Sequence, residues 1–373
     1  MINEILNIKV DTYDGPKEDR GYDFSMLNSI NTCPFYGIVR HIHNKVFDNT
    51  SRNMALECGD LCHKCYACYR ALSIYYRGIT EKNSIIMNIG MRELIKVFVK
   101  TIDNISEQEA FDFVQDCLNK AKENATLLAS YTIFSDFLID NSGYYEDPED
   151  KKRTIENIKA SMLAYCSNFL EIILKEPVWI EDINDPNSRV GIEIQFNTKI
   201  LITFDANGYE NVQDIHFIGA IDGIHVREDG TLIIHENKTA SRLDDSWAYQ
   251  WYKSHQITGY CLIAGYFTGN VCYQARVLGM QIPVPKYSGY AFRTERVDRQ
   301  QNDFSDWARW VLFNHQIIED YKNEPEKAPM NTHACCKYYK ACAFLPLCVE
   351  NTEERKRIIN EEMLEQPWSP LDE

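Results

Sequence analysis

The sequence has no apolar run approaching the twenty or so residues that a membrane-spanning helix needs. Its start, MINEILNIKVDTYDGPKEDR, shows neither the basic stretch nor the apolar core of a secretory leader, so a cytoplasmic protein with no membrane partner is expected. Basic residues are in the minority, with 39 Lys and Arg against 55 Asp and Glu and a net charge of −16. That balance excludes a protein that coats nucleic acid non-specifically, because such binding sets many Lys and Arg against phosphates. A local basic groove remains compatible with it. No internal repeat or low-complexity linker breaks the chain. GxxxxGK[ST] is missing, so any unwinding of a duplex would come from a partner; no flavin or nicotinamide fingerprint favours an electron-transfer protein.

What is present suits a globular protein: 373 residues with 45% apolar content fill one large domain or two ordinary ones. Thirteen cysteines is a high count. In a reducing compartment these do not read as a disulfide framework, which leaves metal ligation and buried core thiols.

Residues 1–50 read as a loop-rich start followed by a short helix around SMLNSINTCPFYGIVRHIHN. From 51 to 180 the apolar spacing is helical, as in MRELIKVFVKTI and TIENIKASMLAYCSNFLEIIL, with a polar break at DNSGYYEDPEDKK. Between 181 and 300, VGIEIQFNTKILITF, IHFIGAIDGIHV and TLIIHENKT read as antiparallel strands. One helix over 245–267 and two further strands, VCYQARVLG and SGYAFRTERV, follow them. Residues 301–373 hold a helix over 304–321, the cysteine-rich HACCKYYKACAFLPLC and an acidic tail. The expected fold is α/β (α+β), a central mixed β-sheet flanked by helices, with the four segments forming one intertwined domain.

The stretch GAIDGIHVREDGTLIIHENKTAS, residues 219–241, places charges where a packed hairpin prefers apolar side chains. A two-residue Asp229-Gly230 loop would put Asp222 and Glu236 on different faces. A three-residue loop, Glu228 to Gly230 with the glycine left-handed, sets Asp222 directly opposite Glu236, and this is the register expected. Lys238, two residues beyond Glu236, then shares their face. Neighbouring carboxylates with an amine suit a hard cation such as Mg²⁺ and phosphodiester chemistry. A lone Asp…Glu-x-Lys fits a solvated edge hairpin equally well. The apolar IIH before the charges places them instead at the end of a buried strand.

Asp222 in GAIDGI and Glu236-Asn237-Lys238 in ENK resemble the signature of the PD-(D/E)XK nuclease superfamily, in the RecB-like branch with AddB, Cas4 and exonuclease 5. The resemblance implies a restriction-endonuclease-like core in which Asp222, Glu236 and the backbone carbonyl of Asn237 bind Mg²⁺ or Mn²⁺ and Lys238 assists an attacking water. HQITGY supplies Gln256 and Tyr260 for the branch's Gln-x-x-x-Tyr motif, four apart on one helical face. Gly59 and His63 in ECGDLCHKCY resemble a Gly-x-x-x-His element whose histidine is a metal ligand. Glu193 in GIEIQF resembles an acidic position on the preceding strand, and a simple exposed strand acid fits it equally.

Cys33 in NTCPFYG, with Cys336, Cys342 and Cys348 in CCKYYKACAFLPLC, resembles the four ligands of a [4Fe–4S] cluster in iron–sulfur members of the branch. Here the trio is spaced C-x5-C-x5-C where many relatives have C-x2-C-x5-C, which leaves Cys335 and Cys336 competing for one ligand position. Such a cluster would clip the C-terminus to the N-terminal segment. Cys58, Cys62, Cys65 and Cys68 could ligate metal too, but the first three fall at i, i+4, i+7, the spacing of a buried stripe. The function implied is a metal-dependent DNA exonuclease acting on single strands or ends, in repair, recombination or phage DNA processing, with a helicase or recombination protein as partner. A non-catalytic DNA-end-binding accessory subunit of a recombination or replication complex is the alternative.

Overall fold

The computed structural model describes residues 2–16, 20–47, 53–121, 126–283, 289–335 and 341–367. Six strands, β1 (Ile2–Thr12), β3 (Ile192–Ala206), β4 (Tyr209–Val226), β5 (Leu232–Ala240), β6 (Gln274–Gln281) and β7 (Ala291–Asp298), form one mixed sheet in the order β1-β3-β4-β5-β6-β7. β5 and β6 run parallel, while the β1·β3, β4·β5 and β6·β7 ladders are antiparallel. β2 (Lys45–Val46) and β8 (Leu364–Glu365) pair separately. Among the described residues no helix is long and apolar enough to cross a membrane.

The chain divides into two compact units, each assembled from separated stretches. The first takes Met1–Arg52, Gln195–Ala220 and Gln300–Glu373. It contains α1 (Phe24–Thr32), α2 (Pro34–Gly37, running on into a π-helical turn at Ile38–Ile42), α10 (Gln301–Tyr321), α11 (Leu345–Cys348) and α12 (Thr352–Glu361). Phe35, Ile38, Val39, Phe344, Leu347 and Ile359 make a small buried core there.

The start of the chain is not the loop-rich segment that its sequence suggests, since β1 pairs with β3 from Ile2 opposite Ala206 to Thr12 opposite Thr198. Register shifts between Ile2 and Glu4 and between Ile5 and Asn7 explain the difference. Each irregularity resets which face the next residue points to, so INEILNIKVDT loses the two-residue alternation that betrays a strand.

The second unit, Asn53–Ile194 with Ile221–Arg299, carries α3 (Met54–Thr80), α4 (Ser84–Thr101), α5 (Glu107–Ala121), α6 (Leu127–Asn141), α7 (Ile155–Lys175), α8 (Asp245–Tyr252) and α9 (His255–Thr268). Asn53, Asn83, Thr126 and Thr154 start four of these helices, each side chain accepting from backbone N–H groups of the first turn that have no partner within the helix. α3 and α4 touch backbone to backbone: a Cβ on Gly78 would lie 2.4 Å from the Met87 nitrogen, and one on Gly90 2.4 Å from that of Tyr75. Phe98 is fully buried between Phe134 and Phe137, with ring centroids at 5.8 and 5.6 Å. Phe98→Ala is expected to destabilise this unit by about 3–5 kcal/mol, measured as a fall in the denaturant midpoint with unchanged slope.

The helix expected over 245–267 is two helices. Ser254 interrupts it with ψ of 118° and caps α9 through Ile257. The break is held by Arg299, whose guanidinium donates to the carbonyls of Trp251, Tyr252 and Ser254 and to Thr258 Oγ1. The carbonyls of Trp251 and Tyr252, at the C-terminal end of α8, thereby gain a cationic donor.

Candidate active site

The β4–β5 hairpin closes through the three-residue loop, with Arg227 N donating to Thr231 O at 2.9 Å and Gly230 at φ +79°. The ladder above it sets Gly223 opposite His235, which brings Asp222 opposite Glu236 as expected. Both carboxylates are buried, at 7% and 1% exposure. Asp222 Oδ2 accepts from the backbone N–H of Asn237 at 2.8 Å and lies 3.5 Å from His63 Nδ1. Lys238 Nζ sits 2.6 Å from Glu236 Oε1 and 6.0 Å from the centroid of the Trp251 ring.

α9 brings Gln256 and Tyr260 to the same place. Gln256 Nε2 donates to Glu236 Oε1 at 3.1 Å and to Tyr260 Oη at 3.0 Å, so the motif's two members lean on each other and on the strand carboxylate. α3 delivers His63, and Gly59 one turn earlier faces β5, where a Cβ would stand 3.5 Å from Thr239 Oγ1.

Glu193 also belongs here. Ligand atoms of His63, Glu193 and Asp222 all lie within 4.8 Å of one another, a set that can hold a metal ion. Glu193 is no ordinary strand acid: its φ is +43°, in the left-handed region that an L-residue enters at about 1–3 kcal/mol. Two residues before it, the Gly191 N–H donates to the Trp179 carbonyl and the Gly191 carbonyl accepts from the Ile224 N–H. A Cβ at 191 would fall 2.2 Å from the Ile224 oxygen. Among the described residues, Glu193 Oε1 and Glu236 Oε2 are buried with no hydrogen-bond partner.

Charge is strongly coupled in this cluster. Burial, then the neighbouring Asp222 carboxylate, push Glu193 up to about 8 and Glu236 up to about 6. Burial opposes ionisation of Asp222 as well, but His63, Lys238 and Arg70 outweigh it and hold that carboxyl well below its usual range. Burial also opposes a charge on His63, and the Asp222 carboxylate overrides it, lifting the imidazole to about 9. Hard oxygen donors with one imidazole fit Mg²⁺ or Mn²⁺ better than a thiophilic metal.

Behind the hairpin lies a second polar group. Glu176 takes a two-pronged contact from Arg276, 2.9 Å at Nε and 2.5 Å at Nη2, and stands 2.6 Å from His235 Nε2. His235 stacks on His225 at 3.8 Å. Burial disfavours the Glu176 charge, yet His235 and Arg276 prevail and hold the carboxyl down to about 2. Its folded value lies below its unfolded one, so it adds stability above the unfolded pKa that is lost as pH falls toward 2. Glu176→Gln is therefore expected to lower the melting temperature at pH 7, with the gap to the parent closing as the pH is taken from about 5 down to about 2.

The cysteines separate into two kinds. Cys58, Cys62, Cys65 and Cys68 are buried along α3, as are Cys117, Cys166, Cys261 and Cys272 elsewhere in the second unit. In the first unit, Cys33, Cys342 and Cys348 pack on the small core around Phe35 and Phe344. Cys335 is drawn in with them: its carbonyl accepts from Cys342 N at 2.6 Å, and burial, then Cys33, Cys342 and Cys335, push the Cys348 thiol up. Cys336 lies outside the described residues.

Sequence reasoning missed Arg70 and Tyr165. Arg70 is 2% exposed on α3, seven residues after His63 and so on the same face; an arginine inside the apolar run YACYRALSIYY is the signal that could have found it.

No protein-family model matches the chain, and no curated protein does. A solved structure described as "Crystal structure of SSO0001" aligns over 69% of this chain and 93% of its own, at 15% identity and a TM-score of 0.28. A likeness of that size carries no argument about fold or function.

Proposed function

We propose that the protein is a Mg²⁺- or Mn²⁺-dependent deoxyribonuclease that trims single-stranded DNA or DNA ends. The observation that carries this reading is the convergence of His63, Glu193 and Asp222 donor atoms within 4.8 Å, beside a buried Glu236 bonded to Lys238. The choice of DNA rests on the motif resemblance. His63, Glu193 and Asp222 would hold the cation, with Glu236 at its edge and the Asn237 carbonyl as a further donor. A bound Mg²⁺ or Mn²⁺ supplies Lewis-acid polarisation of a phosphate and lowers the pKa of a bound water.

The chain's own residues do the rest. Lys238, held by Glu236 and backed by Trp251, presents an ammonium that orients the attacking water and offsets charge growing on the phosphate oxygens. Gln256 donates to the same Glu236 oxygen that Lys238 contacts, and Tyr260 accepts from Gln256. Burial of Asp222 and Glu236 excludes bulk water and strengthens each of these interactions. We further propose a [4Fe–4S] cluster on Cys33, Cys342, Cys348 and one of Cys335 and Cys336, with a structural task. A helicase or recombination protein fits as partner, because the sequence carries no nucleotide-binding motif of its own.

The test is incubation of anaerobically purified protein with end-labelled single-stranded and duplex DNA, with Mg²⁺, Mn²⁺ or EDTA. Cleavage that EDTA abolishes supports the proposal, and the ladder of product lengths gives polarity. Protein that binds DNA ends but cuts neither substrate with either metal would replace it by the accessory end-binding role.

A further inference from the structure

Resting on the reading that the acidic cluster holds a divalent cation, we infer that Arg70 is the positioning residue that sets the cluster's geometry, acting through the Asn237 side chain. Arg70 lies on the protein side of the cluster, buried, with every part of its guanidinium occupied. Nε donates to His225 Nε2 at 3.2 Å and Nη2 to the His235 carbonyl at 3.4 Å. His225 can accept there because its Nδ1 faces the Glu176 carbonyl at 2.7 Å and carries the proton. Nη1 stands 4.0 Å from Glu193 Oε1.

The remaining contact links Arg70 to the hairpin. A guanidinium has donors only, so the carboxamide orientation that satisfies Arg70 turns the Asn237 oxygen toward it and gives up the 3.3 Å contact of the carboxamide nitrogen with Asp222 Oδ2. In that orientation Asn237 accepts from Nη1 at 3.1 Å and Nη2 at 2.6 Å, while its nitrogen donates to Tyr165 Oη at 2.5 Å. Asn237 is the residue between Glu236 and Lys238, and its backbone N–H holds Asp222 Oδ2. One rigid planar cation thus fixes the residue that ties both strands of the hairpin together, and it faces Glu193 besides.

The fold makes room for this at a specific cost. Gly223 follows Asp222, and a Cβ there would lie 2.6 Å from Arg70 Nε and 2.8 Å from His225 Nε2. Glycine at 223 is what lets the guanidinium pass under the strand. A buried cation paired at 4.0 Å is expensive for stability alone, which favours a task at the site over a purely structural one.

The experiment measures Mn²⁺ binding to the full chain by calorimetry and by the Mn²⁺ electron paramagnetic resonance signal, without DNA. Residues that hold metal ligands in place are worth on the order of 10–100-fold in affinity. Arg70→Met is expected to weaken binding by that factor, Arg70→Lys to recover part of it, and Asn237→Ala to match Arg70→Met, with the double variant no weaker than either. Gly223→Ala, which displaces the guanidinium without deleting it, is expected to act in the same direction and carries the test if Arg70→Met fails to fold. Folded Arg70→Met or Asn237→Ala protein that binds Mn²⁺ within about 2-fold of the parent overturns the inference. Asp222→Asn separates the two levels: if it binds as the parent does, the cation reading itself fails and the inference goes with it. If only Asp222→Asn loses binding, the cation stays and Arg70 loses its role.

Discussion

Lys238→Met and Glu236→Gln are each expected to slow metal-dependent cleavage of single-stranded DNA by roughly 10²–10³-fold, the usual loss when one fixed electrostatic contact to a transition state is removed. The two residues form one contact of 2.6 Å, with Glu236 almost wholly buried. Either substitution leaves its partner without a counter-charge, so the double variant is expected to be scarcely slower than either single one. Single-turnover rates at saturating Mn²⁺ provide the measurement, with circular dichroism as the control for folding. Wild-type cleavage that both variants retain in full would move the catalytic centre away from the hairpin.

Removing one sulfur from the first unit is the second large effect. Cys348→Ala is expected to take iron from roughly four atoms per chain to near zero and to bleach the visible absorbance of anaerobically prepared protein. Cys33 and Cys348 stand more than three hundred residues apart, and closure over such a length restricts the unfolded chain strongly. Loss of the link is expected to lower the melting temperature by roughly 5–10 °C, by analogy with long cross-links. Cys335→Ala and Cys336→Ala, made separately, assign the fourth ligand, because only one of them loses the iron. Parent protein purified without oxygen and found to contain no iron would dismiss the cluster.

The candidate site was legible where its chemistry is local. The hairpin register followed from a glycine at the third loop position; Gln256 and Tyr260 came from the resemblance to a Gln-x-x-x-Tyr motif, whose four-residue spacing sets both on one helical face. Glu193 was ambiguous because its place depends on a left-handed turn of backbone that no propensity of GIEIQF announces. Arg70 was missed for a related reason: the apolar run around it marks a buried arginine, but what gives it meaning is a glycine 153 residues later, whose missing Cβ leaves it space. In the fold, β1 hid behind its register shifts, and the α8–α9 break depends on Arg299, far downstream of the helix it divides. Sequence pattern reports contacts made within a turn or a ladder step; these features are fixed by contacts between distant stretches.

The interleaving of the two units also bears on how the protein is made. Every residue of the second unit precedes position 300, whereas the first unit begins the chain and needs its last stretch, from Gln300 on, to be complete. At roughly 5–20 residues per second on a ribosome, Cys33 waits some tens of seconds for Cys348 to be synthesised. The unit bearing the acidic cluster is therefore translated in full before the unit bearing the cysteine group can close. During that interval Cys33 exists without Cys342 and Cys348, the C-terminal cysteines that pack on the same small core.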